Sequence, residues 1–331
     1  MSGPVLALVA VSGGAPERAS LEALSLARGL AAASGAPLEV LLVAGPADAR
    51  SAAGTLAGSG VTTALIVENA SLSLDHPDGW AAAVARVIEA RAPSAVVGAG
   101  TERGNELLAR VAARMGLPLA VNVVSVASGD RFRLVRQRWA GSLLEECWLD
   151  APIPLLTVAP NAVVAAEPDG GAAPALESIA VELAPADLAV HVTSREPPER
   201  GRISLAEAKV VIGGGRGVGS SAGFADLEEL AGLLGGAVGG SRVVTSAGWR
   251  PHADQIGQTG LRIAPDIYIA CGISGAIQHI VGCKAAKLIL AINTDAEAPI
   301  MSVADYAVIG DLHAVVPAIS AEIRRRSGAG A

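Results

Sequence analysis

The sequence predicts an α/β protein of two domains, each built on a mostly parallel sheet with helices on both faces. Apolar runs of strand length alternate with stretches of helical spacing, a pattern typical of parallel sheets that are covered by helices. A chain of 331 residues is long enough for two domains with separate cores. Two stretches, near 165–174 and 195–205, have the Pro- and Gly-rich composition of linkers. We therefore expect an N-terminal domain at 1–200 and a C-terminal domain at 205–331.

The composition is that of a folded chain without a nucleic-acid surface. Hydrophobic residues make up 51% and charged residues 17% of the sequence, the reverse of the balance in disordered chains. The formal net charge is −7, whereas binding to nucleic acid needs a basic surface. The first residues lack the basic flank of a signal peptide, and every apolar run is broken before the length of a membrane span. Cys147, Cys271 and Cys283 form no metal-binding set. We expect a cytoplasmic, metal-free protein with no transmembrane segment.

The N-terminal domain alternates strand and helix as far as Pro118. The expected strands and helices, in chain order, are strand 5–11, helix 16–33, strands 38–44 and 61–67, helix 79–91, strand 95–98 and helix 103–115. Four strands follow with no helix between them, at 121–126, 132–137, 143–149 and 153–158. This run predicts a mostly antiparallel edge on the first sheet. Residues 176–194 are expected to add one or two peripheral strands.

The C-terminal domain alternates more cleanly. The expected strands lie at 209–212, 237–239, 267–271, 287–292 and 306–309, and the expected helices at 223–234, 253–258, 275–281 and 312–325. After most of these strands comes a cluster that mixes glycines with one or two polar residues. Because ligands bind at the carboxyl ends of parallel strands, these clusters should converge on one crevice. The pattern predicts a doubly wound, dinucleotide-binding domain.

Three of these clusters suit phosphate or adenosine groups. The loop 213–220 reads G-x-G-x-G, which differs from the dinucleotide motif G-x-G-x-x-G, but it holds Arg216 ahead of a helix. Ser274 and Gly275 resemble an N-cap followed by a residue that lets a phosphate approach the backbone. Asn293 and Asp311 follow later strands and could bind a ribose or adenine, although such residues are more often turn formers.

Arg242, Thr259 and His279 are the candidates for a redox end of the crevice. Positive charge would stabilise the anion that forms when a flavin is reduced, and a hydroxyl could bond a ring nitrogen. A lone histidine at a helix start is, however, usually structural. The sequence shows no acid–base pair, nucleophile triad or metal cluster, which favours electron carriage over the transformation of a substrate.

These clusters, in this order, resemble the α subunit of electron-transfer flavoproteins. The diagnostic residues are 257–260 (Gly-Gln-Thr-Gly), Ala264-Pro265, 268–270 (Tyr-Ile-Ala), 272–279 (Gly-Ile-Ser-Gly-Ala-Ile-Gln-His) and 291–293 (Ala-Ile-Asn). The resemblance covers about 209–320 and implies a DHS-like NAD/FAD-binding domain that holds one FAD. Carried over by position, the cofactor-binding residues are Arg216, Ser241, Arg242, Gln255, Ile256, Gly257, Gln258, Thr259, Ser274, Gly275, Ala276, Ile277, Gln278, His279, Asn293, Asp311 and Leu312.

The resemblance also implies roles and partners. Arg242, Thr259 and His279 would lie by the isoalloxazine ring, Ser274 and its neighbours by the pyrophosphate, and Asn293 and Asp311 by the adenosine. The N-terminal domain would dock a β subunit, which is expected to hold AMP or a second FAD. Electrons would pass from flavin dehydrogenases, such as those of the acyl-CoA dehydrogenase type in fatty acid β-oxidation, to a quinone oxidoreductase or another acceptor.

The sequence departs from the family's usual pattern at several positions, in the loop 218–222, at Trp139 and Ser142, and at Ser246 and Trp249, and it leaves rival functions open. Ser246 stands where Asp is common in the family and Trp249 where Tyr or Phe is usual, which bears on the partner surface and on redox tuning. The alternatives are a flavin- or NAD-dependent enzyme that acts on a small molecule, and a non-redox scaffold that binds FAD or AMP. The sequence does not separate a simple electron shuttle from a bifurcating flavoprotein.

Overall fold

The structure is a computed structural model that describes residues 3–73, 76–129, 131–141, 143–165, 171–193 and 203–328. The chain divides into two compact units, Met1–Arg195 and Glu196–Ala331. The expected linkers near 165–174 and 195–205 fall in large part on residues 166–170 and 194–202, which lie outside the described residues.

The first unit begins with regular alternation of strand and helix. Its strands are β1 (Val5–Ser12), β2 (Ala15–Pro16), β3 (Leu38–Val43), β4 (Thr63–Glu68), β5 (Ala95–Ala99), β6 (Leu119–Ala127), β7 (Phe132–Arg138), β8 (Leu143–Leu149), β9 (Leu155–Val158) and β10 (Ala175–Ala180). Its helices are α1 (Arg18–Ser34), α2 (Pro46–Gly54), α3 (Pro77–Arg91) and α4 (Glu102–Met115). Helix α2 was not expected, because its alanines, Asp48 and Ser51 give too few apolar positions to show helical spacing.

The sheet of the first unit runs in the order β10-β4-β3-β1-β5-β9-β6-β7-β8. Strands β10 to β6 along this order pair in parallel, whereas β7 pairs antiparallel with both β6 and β8. The expected antiparallel edge is therefore three strands, not four. Strand β9 instead inserts between β5 and β6 and pairs in parallel with both, which gives its four residues complete burial.

Both faces of the first sheet are covered. Along β1, Val5, Ala7 and Val9 pack into one core cluster, while Leu6 and Leu8 pack into the other. This alternation is the period-two pattern of a strand that is buried on both sides.

The second unit is a five-stranded parallel sheet in the order β12-β11-β13-β14-β15. Its strands are β11 (Val210–Gly214), β12 (Ala237–Gly240), β13 (Ile267–Cys271), β14 (Ile289–Asn293) and β15 (Tyr306–Ile309). Its helices are α5 (Ala225–Leu234), α6 (Arg242–Ser246), α7 (Ile277–Cys283) and α8 (Leu312–Gly328). Val211, Tyr268 and Ala291 face one core cluster, and Ile212, Ile269 and Ile292 face the other. The predicted fold class is confirmed.

One predicted helix is wrong. Residues 253–258 do not form a helix: a 3-10 turn covers His252–Asp254, and the chain then runs extended. The Ile256 N–H donates to the Gly240 carbonyl at 2.8 Å, and Gln255 forms a parallel bridge with Gly240. This short segment continues the sheet edge beyond β12, so pairing with the sheet overrides local helical propensity.

Candidate functional site

A cleft of about 380 Å³ lies at the carboxyl ends of the second sheet. Along the chain the sheet order reverses at β11, because β12 lies on one side of it and β13 on the other. The loops that follow β11 and β13 therefore leave the sheet on opposite sides of a crevice, which is the usual ligand position in such sheets. We call this crevice the switch-point cleft. It is lined by Arg216, Gly217, Ser241, Arg242, Val243, Gln255, Ile256, Gly257, Gln258, Thr259, Gly272, Ile273, Ser274, Gly275, Ala276, Gln278, His279, Asn293, Asp295 and Ala298.

Glycines let the two loops of the switch point touch. The Gly215 N–H donates to the Cys271 carbonyl at 2.9 Å, and the Gly217 N–H donates to the Gly272 carbonyl at 3.1 Å. A Cβ on Gly215 would lie 2.2 Å from the Gly272 oxygen, and one on Gly217 would lie 2.8 Å from the Gly272 Cα. Any side chain at these positions would push the loops apart, so the glycines set the width of the cleft at its base.

Two arginines give the cleft positive charge. Arg216 begins a 3-10 turn after β11, and Arg242 begins α6 after β12; both are exposed and both line the cleft. In the part of the chain that the structure describes, neither guanidinium pairs with a carboxylate, whereas Arg250 is held by Asp254 and Glu228. The charge of Arg216 and Arg242 is thus available to an anionic ligand.

A hydrogen-bond chain positions the Thr259 hydroxyl. Gln255 is buried, and its Nε2 donates to Thr259 Oγ1 at 2.9 Å. The amide oxygen of Gln255 lies 2.8 Å from the Thr245 hydroxyl, which orients the amide. Because Thr259 accepts from Gln255, its own hydrogen is left to donate to a ligand atom in the cleft.

His279 is the third residue of α7, and it is buried. Its Nε2 lies 2.8 Å from the Tyr268 hydroxyl, while its Nδ1 is buried without a hydrogen-bond partner among the described residues. Burial lowers the pKa of the imidazole from 6.5 to about 4, and the neighbouring Ile256 carbonyl offsets this fall only in part. His279 is therefore neutral at pH 7, and the positive charge of the cleft comes from its arginines.

Ser274 lines the cleft, but the predicted cap is wrong. The N-cap of α7 is Ala276, and no side chain makes a capping bond there. Gly275 has φ +80° and turns the chain between Ser274 and the helix, so the serine lies too far back to cap it. The Ser274 carbonyl instead accepts from the Ile300 N–H at 3.0 Å, which fixes this loop against the turn after β14.

The later residues divide into those in the cleft and those outside it. Asn293 lines the cleft, but its side chain already serves the local backbone: Nδ2 donates to the Ile273 carbonyl at 2.9 Å, and Oδ1 accepts from the Asp295 N–H at 3.1 Å. Ile277, Asp311 and Leu312 do not line it. The Asp311 carboxylate accepts from the His313 N–H at 3.0 Å at the start of α8, which matches the turn-former interpretation.

Sequence reasoning did not select six residues that line the cleft, namely Gly217, Val243, Gly272, Ile273, Asp295 and Ala298. Gly217 and Gly272 could have been found, because each belongs to a glycine cluster that follows a strand. Val243 and Ala298 carry no chemical signal in the sequence.

The residues present fit an anionic nucleotide cofactor. The cleft has the volume usual for cofactor sites and combines a glycine-rich lining with two arginines free of carboxylate partners among the described residues. The buried Nδ1 of His279 has no hydrogen-bond partner among the described residues, and a ligand could supply one. Within the described residues, no group of three or more His, Cys, Asp or Glu side chains could hold a metal ion, and no helix is long and apolar enough to cross a membrane.

Comparison with known proteins gives the family. Residues 5–184 match the family described as the electron transfer flavoprotein domain, and residues 204–284 match the electron transfer flavoprotein FAD-binding domain. The second match contains the loops after β11, β12 and β13, and so most of the cleft.

Curated relatives agree over most of the chain. A protein of Mycobacterium tuberculosis (strain H37Rv) named electron transfer flavoprotein subunit alpha is 39% identical over 324 residues, which is 98% of this chain and 99% of that protein. Proteins of the same name from Mycobacterium leprae and Bacillus subtilis (strain 168) are 43% identical over 74% of this chain and 38% identical over 80% of it, covering 76% and 82% of their own lengths. The chain therefore belongs to the electron-transfer flavoprotein α subunits, and its C-terminal domain is the FAD-binding domain of that family.

Proposed function

We propose that this chain binds FAD in the switch-point cleft, pairs with an electron-transfer flavoprotein β subunit, and carries electrons between flavin dehydrogenases and a quinone oxidoreductase or another acceptor. The observation that supports this proposal best is the cleft itself, where Arg216, Arg242 and the buried Nδ1 of His279 all lack a protein partner among the described residues. Dehydrogenases of the acyl-CoA dehydrogenase type are the proposed donors. The three free cysteines suit a reducing compartment such as the cytoplasm.

Within the cleft, we assign each side chain by what it can offer. FAD, when bound, supplies the reversible uptake and release of electrons. Arg242 supplies positive charge, which stabilises negative charge that develops on a neighbouring group. The Thr259 hydroxyl, held by Gln255, supplies a hydrogen-bond donor. Gly217 and Gly275 line the cleft, and we assign this part of it to a phosphate, with the charge of Arg216 nearby.

The β subunit is proposed to dock on the antiparallel strands of the N-terminal unit. Leu144 and Trp148 are 67% and 58% exposed and lie on the same face of β8, because they are four positions apart along the strand. Trp139, between β7 and β8, is 81% exposed. Large apolar side chains clustered on an edge hairpin mark a protein contact. We therefore assign this hairpin to the heterodimer.

The test is a potentiometric titration of the heterodimer. The α chain is co-purified with its β subunit, the FAD content is measured from the visible spectrum, and the midpoint potential is read against reference dyes. We expect Arg242→Ala to retain FAD and to lower its midpoint potential by about 30 mV, since a two-electron couple shifts by about 30 mV for each 1.4 kcal/mol. Electron uptake from an acyl-CoA dehydrogenase should slow in parallel.

Arg262→Ala is the matched control. Arg262 is exposed in the same unit and does not line the cleft, so its loss should leave the potential unchanged. A folded heterodimer without FAD would contradict the proposal, as would equal potentials for Arg242→Ala and the wild type. Turnover of a small substrate by the purified complex would favour a true enzyme instead.

A further inference from the structure

The His279 side chain is tied to the core by one buried contact. Tyr268 is the second residue of β13 and is fully buried, and its hydroxyl lies 2.8 Å from His279 Nε2. His279 is on α7, so the bond joins the central part of the sheet to the helix that borders the cleft. It leaves Nδ1 as the ring nitrogen that the protein does not bond.

The sheet makes room for this hydroxyl. Gly213 lies on β11 beside Tyr268, and a Cβ at this glycine would lie 2.2 Å from the Tyr268 oxygen and 2.7 Å from two ring carbons. An alanine at 213 would therefore displace the phenol. The missing side chain at Gly213 thus leaves the space that the Tyr268 hydroxyl occupies.

The direction of the hydrogen bond follows from the neighbouring groups. If Nε2–H donated to the phenol oxygen, the phenol hydrogen would have no acceptor in the described core, and Nδ1 would be an acceptor without a donor. If the phenol donates to Nε2, the phenol hydrogen has an acceptor and the Nε2 lone pair has a donor. The ring proton is then on Nδ1, where a ligand in the cleft can supply the acceptor. Burial raises the pKa of the Tyr268 phenol well above 10, so the phenol keeps its hydrogen.

We propose that Tyr268 is a positioning residue: its hydroxyl donates to Nε2 of His279 and thereby holds the histidine as the neutral Nδ1–H tautomer, with that N–H offered to the flavin. This inference rests on the proposed function, in which FAD occupies the switch-point cleft. Under it, Arg242 supplies the cleft's charge near the redox end, while His279 supplies a fixed dipole. The phenol hydrogen needs the Nε2 lone pair as its acceptor, and this keeps the ring proton on Nδ1. The opposite tautomer would place a lone pair on Nδ1, facing the ligand's acceptor.

The experiment uses ¹⁵N-histidine NMR of the heterodimer, with the chain's four other histidines as internal references. In the wild type we expect a protonated Nδ1 and an unprotonated Nε2 for His279 at neutral pH. Tyr268→Phe keeps the ring and removes only the donor, so we expect mixed tautomers. The ratio of oxidised to reduced FAD should rise about tenfold at a fixed potential, which is a midpoint about 30 mV lower for a two-electron couple. Tyr306→Phe is the matched control, because Tyr306 is the only other tyrosine and is exposed on β15.

The outcomes are separable. A wild-type His279 that carries its proton on Nε2, or on both nitrogens, overturns the inference even if Tyr268→Phe does not fold. A folded Tyr268→Phe complex with an unchanged tautomer and an unchanged potential overturns it as well. If the complex holds no FAD, the proposed function fails, yet the NMR spectrum of the colourless complex still decides the tautomer.

Discussion

Replacing Gly275 with alanine should damage both the stability and the cofactor affinity of the C-terminal domain. Gly275 lies between β13 and α7, lines the cleft and has φ +80°. An alanine in this left-handed region costs about 1 kcal/mol. Its Cβ would also lie 2.4 Å from the Ile300 nitrogen and 2.6 Å from the Ile300 Cα, both backbone atoms.

The overlap adds a larger cost. Backbone cannot rotate away as a flexible side chain can, so either the loop or the turn that begins at Pro299 must move, and overpacking of this kind costs about 1–3 kcal/mol. Movement would stretch the bond between the Ser274 carbonyl and the Ile300 N–H. The total is about 2–4 kcal/mol of destabilisation. If the loop shifts to relieve the contact, FAD affinity falls by about tenfold for each 1.4 kcal/mol of lost interaction.

The assay pairs two glycine-to-alanine variants of the same domain. Gly232 lies in α5, is exposed, and has open space around the position of a Cβ, so Gly232→Ala should stabilise the protein by about 0.5–1 kcal/mol. Thermal unfolding by circular dichroism and flavin fluorescence titration of the heterodimer give the two readouts. If Gly275→Ala unfolds at the wild-type temperature and binds FAD equally well, the assignment of this loop to the cofactor is wrong.

Two further predictions concern acid stability and assembly. His279 titrates at about 4 when folded and at 6.5 when unfolded, so the unfolded chain binds more protons between these values and stability falls as pH falls. From pH 7.5 to pH 5 the free energy of unfolding should fall by about 2 kcal/mol because of His279. Urea denaturation at the two pH values should show a fall smaller by that amount in His279→Gln than in the wild type. An equal fall in the two proteins would contradict the neutral, buried histidine. Leu144→Ser should weaken the heterodimer in analytical ultracentrifugation. Leu176 is 56% exposed on the edge strand at the opposite end of the same sheet, so Leu176→Ser should not weaken it. Equal effects of the two substitutions would contradict the assignment of the β7–β8 hairpin to the interface.

The fold could be predicted because its signals are local and repeated. Apolar runs of four to eight residues marked nearly every strand, and glycine after α1 and α4 marked where those helices end, at Gly35 and Gly116 in the left-handed conformation. The errors occurred where pairing decides the structure. Strand β9 looks like its neighbours in sequence, and only its partners make it parallel.

The position of the cleft was predictable, but its hydrogen bonding was not. A polar and glycine-rich cluster after each parallel strand is visible in the sequence, and the sheet order then brings the clusters together. The sequence could not show that the Asn293 side-chain amide donates to the Ile273 carbonyl, or that His279 is buried and neutral. Both depend on which loop lies beside which, and therefore on long-range packing.

The glycine run at 213–215 shows why a motif resemblance can mislead. Gly213 leaves room for the Tyr268 hydroxyl, and a Cβ on Gly214 would lie 2.4 Å from a ring carbon of Phe224. Gly215 in turn admits the Gly272 carbonyl.

All three glycines are therefore needed by the protein's own packing, and none of them lines the cleft. In a dinucleotide motif the first turn contacts the phosphates. Here the first turn contributes Arg216 and Gly217, while most of the cleft is built by the loops after β12 and β13. Changes of redox tuning within this fold should thus arise in those two loops, whereas changes in the glycine run should act on stability first.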